Sequence, residues 1–287
     1  NWETSYSVDT ITIVTALTIT ITTSGLVSSH PATIHYVEGG VGKTATTYGT
    51  WSSAVDYGST LDIESTVTVS STERYHTLNT TSWRVTVPVT YTVAYYHQFR
   101  PTILVITAGT GHTDLSPTNY VTLTYSCNGS LLTFQVYDGH SLNDWVDAGS
   151  TASLANPSSG SNSTHRWYCS GITSWVINDD SSRPATYREQ FKATITLTGL
   201  GPLHPATIDV VQNATMNNPT AYASWSDWAD IGTTLSISNP IIVSSTERYH
   251  ALDANSWVVS SAIIAALDYA HQFSVTMVVN GLDPSHA

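Results

Sequence analysis

The chain has 287 residues, of which only 10% are charged, and its 9 basic and 21 acidic residues give a net charge of −12. Such an acidic balance repels phosphate backbones and anionic lipid surfaces, so nucleic acid is not an expected partner. No run of about 18 apolar residues occurs, so no segment is expected to cross a bilayer. Thr, Ser, Val, Ile, Tyr and Trp dominate the composition, which predicts an all-β protein.

The first 24 residues predict a strand that is longer than one small domain can use. Within residues 5–24 one face carries apolar side chains and the other carries threonines, which is the period of a half-buried strand. The apolar face consists of Ile11, Ile13, Leu17, Ile19 and Ile21, and the other of Thr12, Thr18, Thr20 and Thr22. An ordinary strand covers about five or six residues, so we assign residues 14–24 to the first folded module and treat residues 1–13 as a surplus donor strand. The predicted polymerisation residues of this segment are Tyr6, Val8, Ile11 and Ile13.

A segment of about fifteen residues occurs twice, and a third copy of it has diverged in sequence. Residues 69–83 read VSSTERYHTLNTTSW, residues 243–257 read VSSTERYHALDANSW, and residues 161–175 read SNSTHRWYCSGITSW. Self-similarity at a near-constant period of 82 to 92 residues indicates stacked copies of one folding unit. We therefore predict three tandem immunoglobulin-like β-sandwich modules joined by continuous strands. Their ranges are 14–98, 99–190 and 191–273, followed by a C-terminal strand or tail at 274–287.

The eleven histidines could suggest a metal site or acid/base catalysis, but seven of them stand at positions that repeat along the chain. A side chain that recurs in every module is expected to build the module, for instance by satisfying buried polar groups. The sequence contains no HExxH, GxSxG or clustered Cys/His motif. The GGVGKT segment at 39–44 is not followed by the helix that a phosphate loop requires, so it predicts a hairpin turn. We expect no catalytic residue and no enzyme activity.

Asp56, Asp147 and Asp230 each stand two residues before a glycine. This spacing favours turns stabilised by the aspartate side chain. Asp144 and Asp227 lie close by in sequence and would add a second carboxylate. Calcium needs about six to eight oxygen ligands, of which the sequence supplies two or three. We therefore expect no cofactor and keep calcium as the alternative.

Cys127 and Cys169 are the only two cysteines, and both fall in the second module. Each continues an alternating face that points inward, so we predict a disulfide between them in an exported protein. Closing that loop would contribute about 4 kcal/mol in the chain-entropy model. The tryptophans recur at module positions, which favours core packing over a sugar-stacking platform.

Export is predicted from two features of the sequence. The chain starts at Asn1 without an initiator methionine or a basic, apolar leader, which is typical of a mature, processed protein. Acceptor sites for N-linked glycans also occur and have meaning only on an exported chain. We predict an extracellular or cell-surface location with N-linked glycans as partners. The glycosylation sites are Asn79, Asn128, Asn162 and Asn213.

The surplus strand at residues 6–13, the tandem Thr-rich modules and the lack of catalytic motifs together resemble the archaeal extracellular thread and bundling-pilus subunits. The resemblance is one of architecture and composition over the whole chain, and no family motif matches residue by residue. It implies a secreted, often glycosylated β-sandwich protein that polymerises by donor-strand complementation.

The expected function is a structural subunit of an extracellular cell-surface filament that forms a homopolymer and serves adhesion or biofilm formation. Residues 1–13, or alternatively 274–287, would be the donated strand. A surface-layer protein or a carbohydrate-binding adhesin module is the alternative. An enzyme is the third and least favoured hypothesis, because every candidate acid or base recurs as scaffold or lacks a partner.

Overall fold

The computed structural model describes residues 15–278 and residue 280, and every regular element within them is a β-strand. The predicted all-β class with immunoglobulin-like sandwich modules is confirmed. Within the same residues, no helix has the length and apolar character that crossing a membrane demands. The predicted donor strand at residues 1–13, with Tyr6, Val8, Ile11 and Ile13, lies outside the described residues.

The buried apolar side chains form three separate clusters. The first runs from Ile19 to Tyr95 in sequence, the second from Ile103 to Tyr187, and the third from Ala193 to Tyr269. Each cluster fills the space between two facing sheets, as the inward-pointing residues of a sandwich do. Each repeat of the sequence therefore has a hydrophobic core of its own.

The first module places its core between the sheets β4-β1-β9 and β3-β2-β5-β8, with β10-β7-β6 beside them. Along the first strand Ile19 and Ile21 are fully buried, while Thr20 between them lies towards the outer face. The strands are β1 (Ala16–Ser24), β2 (Ala32–Glu38), β3 (Val41–Thr47), β4 (Thr50–Asp56), β5 (Thr60–Ile63), β6 (Thr66–Thr68), β7 (Glu73–His76), β8 (Ser82–Arg84), β9 (Val89–Ala94) and β10 (Tyr96–Phe99).

The second module pairs β11 and β16 with a long strand, β18, and faces them with the sheet β13-β12-β15-β17. Its short strand β14 pairs with β10 of the first module, so the two modules share a sheet edge. The strands are β11 (Ile103–Ala108), β12 (Val121–Cys127), β13 (Ser130–Val136), β14 (Val146–Asp147), β15 (Thr151–Leu154), β16 (His165–Tyr168), β17 (Ser174–Val176) and β18 (Arg183–Thr198).

The third module surrounds its core with the paired strands β22-β18-β27-β25-β24 and with the sheet β20-β19-β23-β26, to which β21 is added. The strand β27 is the counterpart of β9 and β10 in the first module, here without a break. The strands are β19 (Ala206–Gln212), β20 (Thr215–Asn217), β21 (Thr220–Ala221), β22 (Ser224–Asp230), β23 (Thr234–Ile237), β24 (Ile241–Ser244), β25 (Glu247–Ala251), β26 (Ser256–Val258) and β27 (Ile263–Phe273).

The predicted continuous strand is present between the second and third modules. Strand β18 places Tyr187 in the second core and Ile195 in the third. The passage from the first module to the second differs from the prediction, because β10 ends at Phe99 and β11 begins only at Ile103. Pro101 stands between them, and its missing N–H interrupts the ladder of backbone hydrogen bonds.

A buried tyrosine closes each sandwich at the same place. The hydroxyl of Tyr269 donates to the carbonyl of Ser238 at 2.7 Å, and that of Tyr187 donates to the carbonyl of Ala155 at 2.6 Å. Tyr95 donates in the same way to the carbonyl of Glu64. Burial raises the pKa of Tyr269, so the hydroxyl keeps its proton at every physiological pH.

Replacing Tyr269 with phenylalanine should lower the free energy of unfolding by about 1 to 2 kcal/mol, because a buried carbonyl loses its donor while the ring still fills the core. Urea unfolding of the full chain measures this effect. The matched control is Tyr222→Phe in the same module, where the side chain is 48% exposed and the cost should stay below about 0.5 kcal/mol. Equal costs for the two variants would contradict the role assigned to the buried hydroxyl.

Candidate functional site

Each module holds one aspartate carboxylate against two consecutive backbone N–H groups of a hairpin turn. Both residues of each turn have positive φ, which is the geometry of a tight two-residue hairpin and aims both N–H groups to one side. The bonds measure 2.7 to 2.9 Å. The sets are Gly39 and Gly40 with Asp56, Asn128 and Gly129 with Asp147, and Asn213 and Ala214 with Asp230.

The predicted role of these aspartates in their own turns is therefore wrong. The turn after Asp56 is closed by its backbone carbonyl, which accepts the N–H of Ser59, while the carboxylate reaches a hairpin earlier in the chain. The carboxylate oxygens are directed at N–H donors, which is a role different from calcium binding. Among the described residues, no group of three or more His, Cys, Asp or Glu side chains is arranged to hold a metal ion.

A buried glutamine extends this arrangement across the junction between the first and second modules. Gln98 lies on β10 and is fully buried. Its Oε1 accepts a hydrogen bond from Arg74 Nε at 2.9 Å, and its Nε2 donates at 3.0 Å to Asp147 Oδ1 and to Asn128 Oδ1 in the next module. A buried amide that lost these partners would cost about 1 to 3 kcal/mol, so the contact ties the two modules together.

The junction between the second and third modules repeats this geometry with different residues. Arg166 Nε donates to Gln190 Oε1 at 2.9 Å, and Gln190 Nε2 donates to Asp230 Oδ1 at 2.7 Å and to Asn213 Oδ1 at 3.2 Å. In both junctions the glutamine stands directly opposite the aspartate in an antiparallel strand pair. We call this arginine, glutamine and aspartate set the junction network.

An arginine of each junction also lies over a tryptophan of the following module. Arg74 is 4.2 Å from the ring of Trp145, and Arg166 is 4.3 Å from the ring of Trp228. Burial lowers the pKa of both guanidinium groups, which nevertheless remain cationic because free arginine titrates above about 12. Such a contact contributes about 0.5 to 2 kcal/mol and adds to the hold between neighbouring modules.

A histidine and a glutamate lie opposite each other beside each network. His97 Nε2 is 2.9 Å from Glu73 Oε1 in the first module, and His271 Nε2 is 2.8 Å from Glu247 Oε1 in the third. In the second module the two residue types exchange strands, with His165 Nε2 2.7 Å from the buried Glu189. The pairs of His97 and His271 agree with the structural role that was predicted for these two recurring histidines.

The third module ends in an arginine and glutamine pair like those of the two internal junctions. Arg248 Nε donates to Gln272 Oε1 at 2.9 Å, but within the described residues no aspartate stands opposite Gln272. A depression of about 720 Å³ lies beside it. Phe273 is 63% exposed, whereas its counterparts Phe99 and Phe191 pack against the core of the following module.

The chain that follows this pair presents apolar side chains to solvent. Val275 is 85% exposed and Met277 is 83% exposed, while the residues at the same places in the third module, Ala193 and Ile195, are buried. We call the whole surface the C-terminal half-junction. Its residues are Arg248, Gln272, Phe273, Val275 and Met277.

The predicted disulfide is wrong, because Cys127 and Cys169 carry separate free thiols. Cys127 lies beside the first junction, with its sulfur 3.5 Å from Gln98 Nε2. Cys169 is buried towards the second junction, where it lines a depression together with Asn213. Both side chains do belong to one core, but they lie towards opposite ends of the module. Burial raises the pKa of Cys127, which keeps this thiol protonated at neutral pH.

The four predicted glycosylation sites have two kinds of surroundings. Asn79 and Asn162 are exposed, and Asn162 caps a turn by accepting the N–H groups of the two residues Thr164 and His165. Asn128 and Asn213 are half-buried, and their side-chain oxygens accept hydrogen bonds from the junction glutamines. Glycosylation stays a prediction, to which the exposed pair is the better suited.

The predicted packing of the recurring tryptophans agrees with the structure. Five of them pack against the three cores and are only partly exposed. These residues are Trp51, Trp83, Trp175, Trp225 and Trp257.

The most informative residues of the junctions were missed by reading the sequence. Gln98, Gln190 and Gln272 recur in the segments HQF, EQF and HQF, and an arginine recurs in each copy of the repeated segment. The available signal was an uncharged polar residue that recurs inside an otherwise apolar strand at each module boundary. A buried amide at such a place demands partners, and those partners are in the next module.

No protein-family model matches this chain, and no curated protein is similar to it in sequence. The solved structures that are similar include the TIE protein of Bacillus anthracis, with 10% identity, a TM-score of 0.32, and coverage of 89% of this chain and 51% of that one. The pilus adhesin SpaC of Lactobacillus rhamnosus GG, in its open conformation, has 11% identity, a TM-score of 0.35, and coverage of 93% and 44%. A streptococcal ancillary pilin has 6% identity, a TM-score of 0.27, and coverage of 89% and 99%.

This chain thus spans about half the length of the TIE protein and less than half that of SpaC. All three are bacterial proteins, and the archaeal origin implied by the resemblance is not supported. Likenesses at these TM-scores carry no argument about function, which has to be inferred from the geometry of the module junctions.

Proposed function

We propose that this chain is a structural subunit of an extracellular cell-surface filament in which copies join end to end by donating a β-strand. The observation that carries the proposal is the C-terminal half-junction. At the two internal junctions the equivalent arginine, glutamine and phenylalanine contact the following module. At the C-terminal half-junction no following module covers these residues within the described part of the chain.

The exposed segment that follows β27 supplies a physical cause for assembly. Full burial of one apolar side chain such as Val275, Met277 or Phe273 contributes about 1.5 to 3 kcal/mol. An unpaired strand edge with apolar side chains associates with other edges unless a partner covers it. Strand donation between copies satisfies both demands, with the backbone giving affinity and the alternate side chains giving specificity. Residues 1–13 and residues 274–287 are the two candidate donors.

The surface of the chain suits a location outside the cell. Only 10% of its residues are charged and only two are lysines, Lys43 and Lys192. Hydroxyl groups, together with glycans on the exposed Asn79 and Asn162, would then keep the filament in solution. The paired histidines and glutamates belong to the scaffold, which favours a non-enzymatic role.

Negative-stain electron microscopy and light scattering of the purified full-length chain test the proposal. We expect rods whose length is a multiple of one subunit and that show an axial repeat. A control chain lacking both residues 1–13 and residues 274–287 should remain a single subunit. A full-length chain that stays monomeric at high concentration would reject the proposal, and glycan binding by that monomer would support the adhesin alternative instead.

A further inference from the structure

We infer that the C-terminal half-junction binds the first module of a second copy of this chain, where residues 274–278 take the place of β1 and Gln272 comes to lie opposite Asp56. The inference rests on the proposed function, since it requires that copies join. It adds the identity of the donor strand, the acceptor and the register between them.

The donor segment repeats the sequence of the strand that it would replace. Residues 274–282 read SVTMVVNGL, while residues 18–26, which include most of β1, read TITITTSGL. Val275 and Met277 therefore stand at the places of Ile19 and Ile21, which are fully buried in the first core. A strand of this pattern can fill the groove between β4 and β9 with its apolar side chains facing inward.

The glycine that ends the first strand is also repeated. Gly25 has a φ of +83°, and a Cβ at this position would collide with the backbone carbonyl of Tyr95. Gly281 occupies the corresponding place in the C-terminal sequence. The donor thus carries the one residue type that the close approach beside Tyr95 requires.

Among the residues that the structure describes, the acceptor end lacks one donor that the internal junctions have. Asp56 Oδ1 accepts the N–H of Gly39, and the equivalent oxygens of Asp147 and Asp230 accept a backbone N–H together with a glutamine amide. The residue opposite Asp56 is Ala16, whose methyl group cannot donate a hydrogen bond. Gln272 in that position would supply the missing hydrogen bond.

The chain's own β1 and the donated residues 274–278 therefore compete for the place between β4 and β9. The junction network favours the donated segment. Replacing Ile19 and Ile21 by Val275 and Met277 changes the buried apolar area little, so the exchange is nearly balanced in the core. The donated strand adds the glutamine contact to Asp56 and buries Phe273. Ala54 stands two residues before Asp56, where the internal junctions have tryptophan, so Arg248 gains no ring and the contact between copies is weaker than an internal junction.

Cysteine pairing between two full-length variants tests the register. Both variants carry Cys127→Ser and Cys169→Ser, one has Ser274→Cys and the other has Ala54→Cys, and they are refolded together from denaturant. Residues directly opposite each other in antiparallel strands have Cα atoms about 4.5 to 5.5 Å apart, within the range that a disulfide bridges. We expect a disulfide-linked dimer on a non-reducing gel. Ser52→Cys, two residues further along β4, is the control and should give at least about tenfold less dimer.

A second measurement keeps both native cysteines. Gln272→Ala should weaken the association of the full-length chain about tenfold in light scattering, a loss of one hydrogen bond to a charged group. Gln135→Ala, on the outer sheet of the second module, is the matched control and should associate as the unaltered chain does. Circular dichroism verifies that each variant is folded.

The outcomes separate this inference from the proposed function. Filaments that form normally with Gln272→Ala, or a dimer that forms equally well through position 52, would overturn the inference and leave strand donation standing. Filaments that are lost on deletion of residues 1–13 but survive deletion of residues 274–287 would overturn it in favour of the N-terminal donor. A chain that forms no polymer at all rejects both.

Discussion

Replacing Gly199 with alanine is expected to destabilise the third module by about 3 kcal/mol or more. Gly199 follows β18 with a φ of +79°, a conformation that L side chains rarely adopt. A Cβ at this position would collide with the backbone carbonyl of Tyr269, the residue whose hydroxyl closes the sandwich. Because the obstacle is backbone and not the end of a flexible side chain, only a shift of β18 or β27 could relieve the collision.

Hydrogen exchange followed by mass spectrometry measures this loss for each module separately. Peptides from the third module should exchange faster, while peptides from the first module should not change. Gly201→Ala is the matched control, because a Cβ there meets open space and φ is ordinary. Gly25→Ala should instead speed the exchange of peptides from the first module. Indistinguishable exchange in Gly199→Ala and Gly201→Ala would show that the close approach to Tyr269 is not needed.

Features that recur along the chain were predictable from the sequence. The spacing of Trp83, Trp175 and Trp257 predicted repeats of one folding unit, and the structure shows one hydrophobic cluster in each. Recurrence works as a signal because a residue that packs the same sandwich three times is under the same physical demand three times. The alternation along β1 predicted its buried face, because successive side chains of a strand point to opposite sides of the sheet.

Features that depend on position along a strand were not predictable in this way. Alternation correctly assigned Cys127 and Cys169 to one core, but it does not predict how far along the module each residue lies. The two thiols lie towards opposite ends of the module. The aspartate of each DxG turn was likewise read from its neighbours in sequence. The true partners of Asp230 are N–H groups of a hairpin 16 and 17 residues earlier in the chain, a contact that no local pattern encodes.

Replacing Asp230 with alanine is expected to cost about 3 kcal/mol of unfolding free energy, because it leaves two hairpin N–H groups and one N–H of the Gln190 amide without their acceptor at a buried site. Asp227→Ala is the matched control on the same strand. Asp227 is exposed and accepts a single N–H, from Trp228, so its loss should cost less than about 1 kcal/mol.

The comparison of Asp230→Ala with Asp56→Ala measures how much the glutamine hydrogen bond of the junction network contributes to stability. Both carboxylates accept two hairpin N–H groups, but within the described residues only Asp230 also accepts a glutamine amide. In urea unfolding of the monomeric chain, Asp56→Ala should therefore cost about 1 kcal/mol less than Asp230→Ala. In the filament the difference should shrink, since Gln272 of a neighbouring copy then reaches Asp56. If the two variants cost the same in the monomer, the glutamine contributes nothing to the hold between modules, and a face built around Gln272 has no reason to attract a second copy.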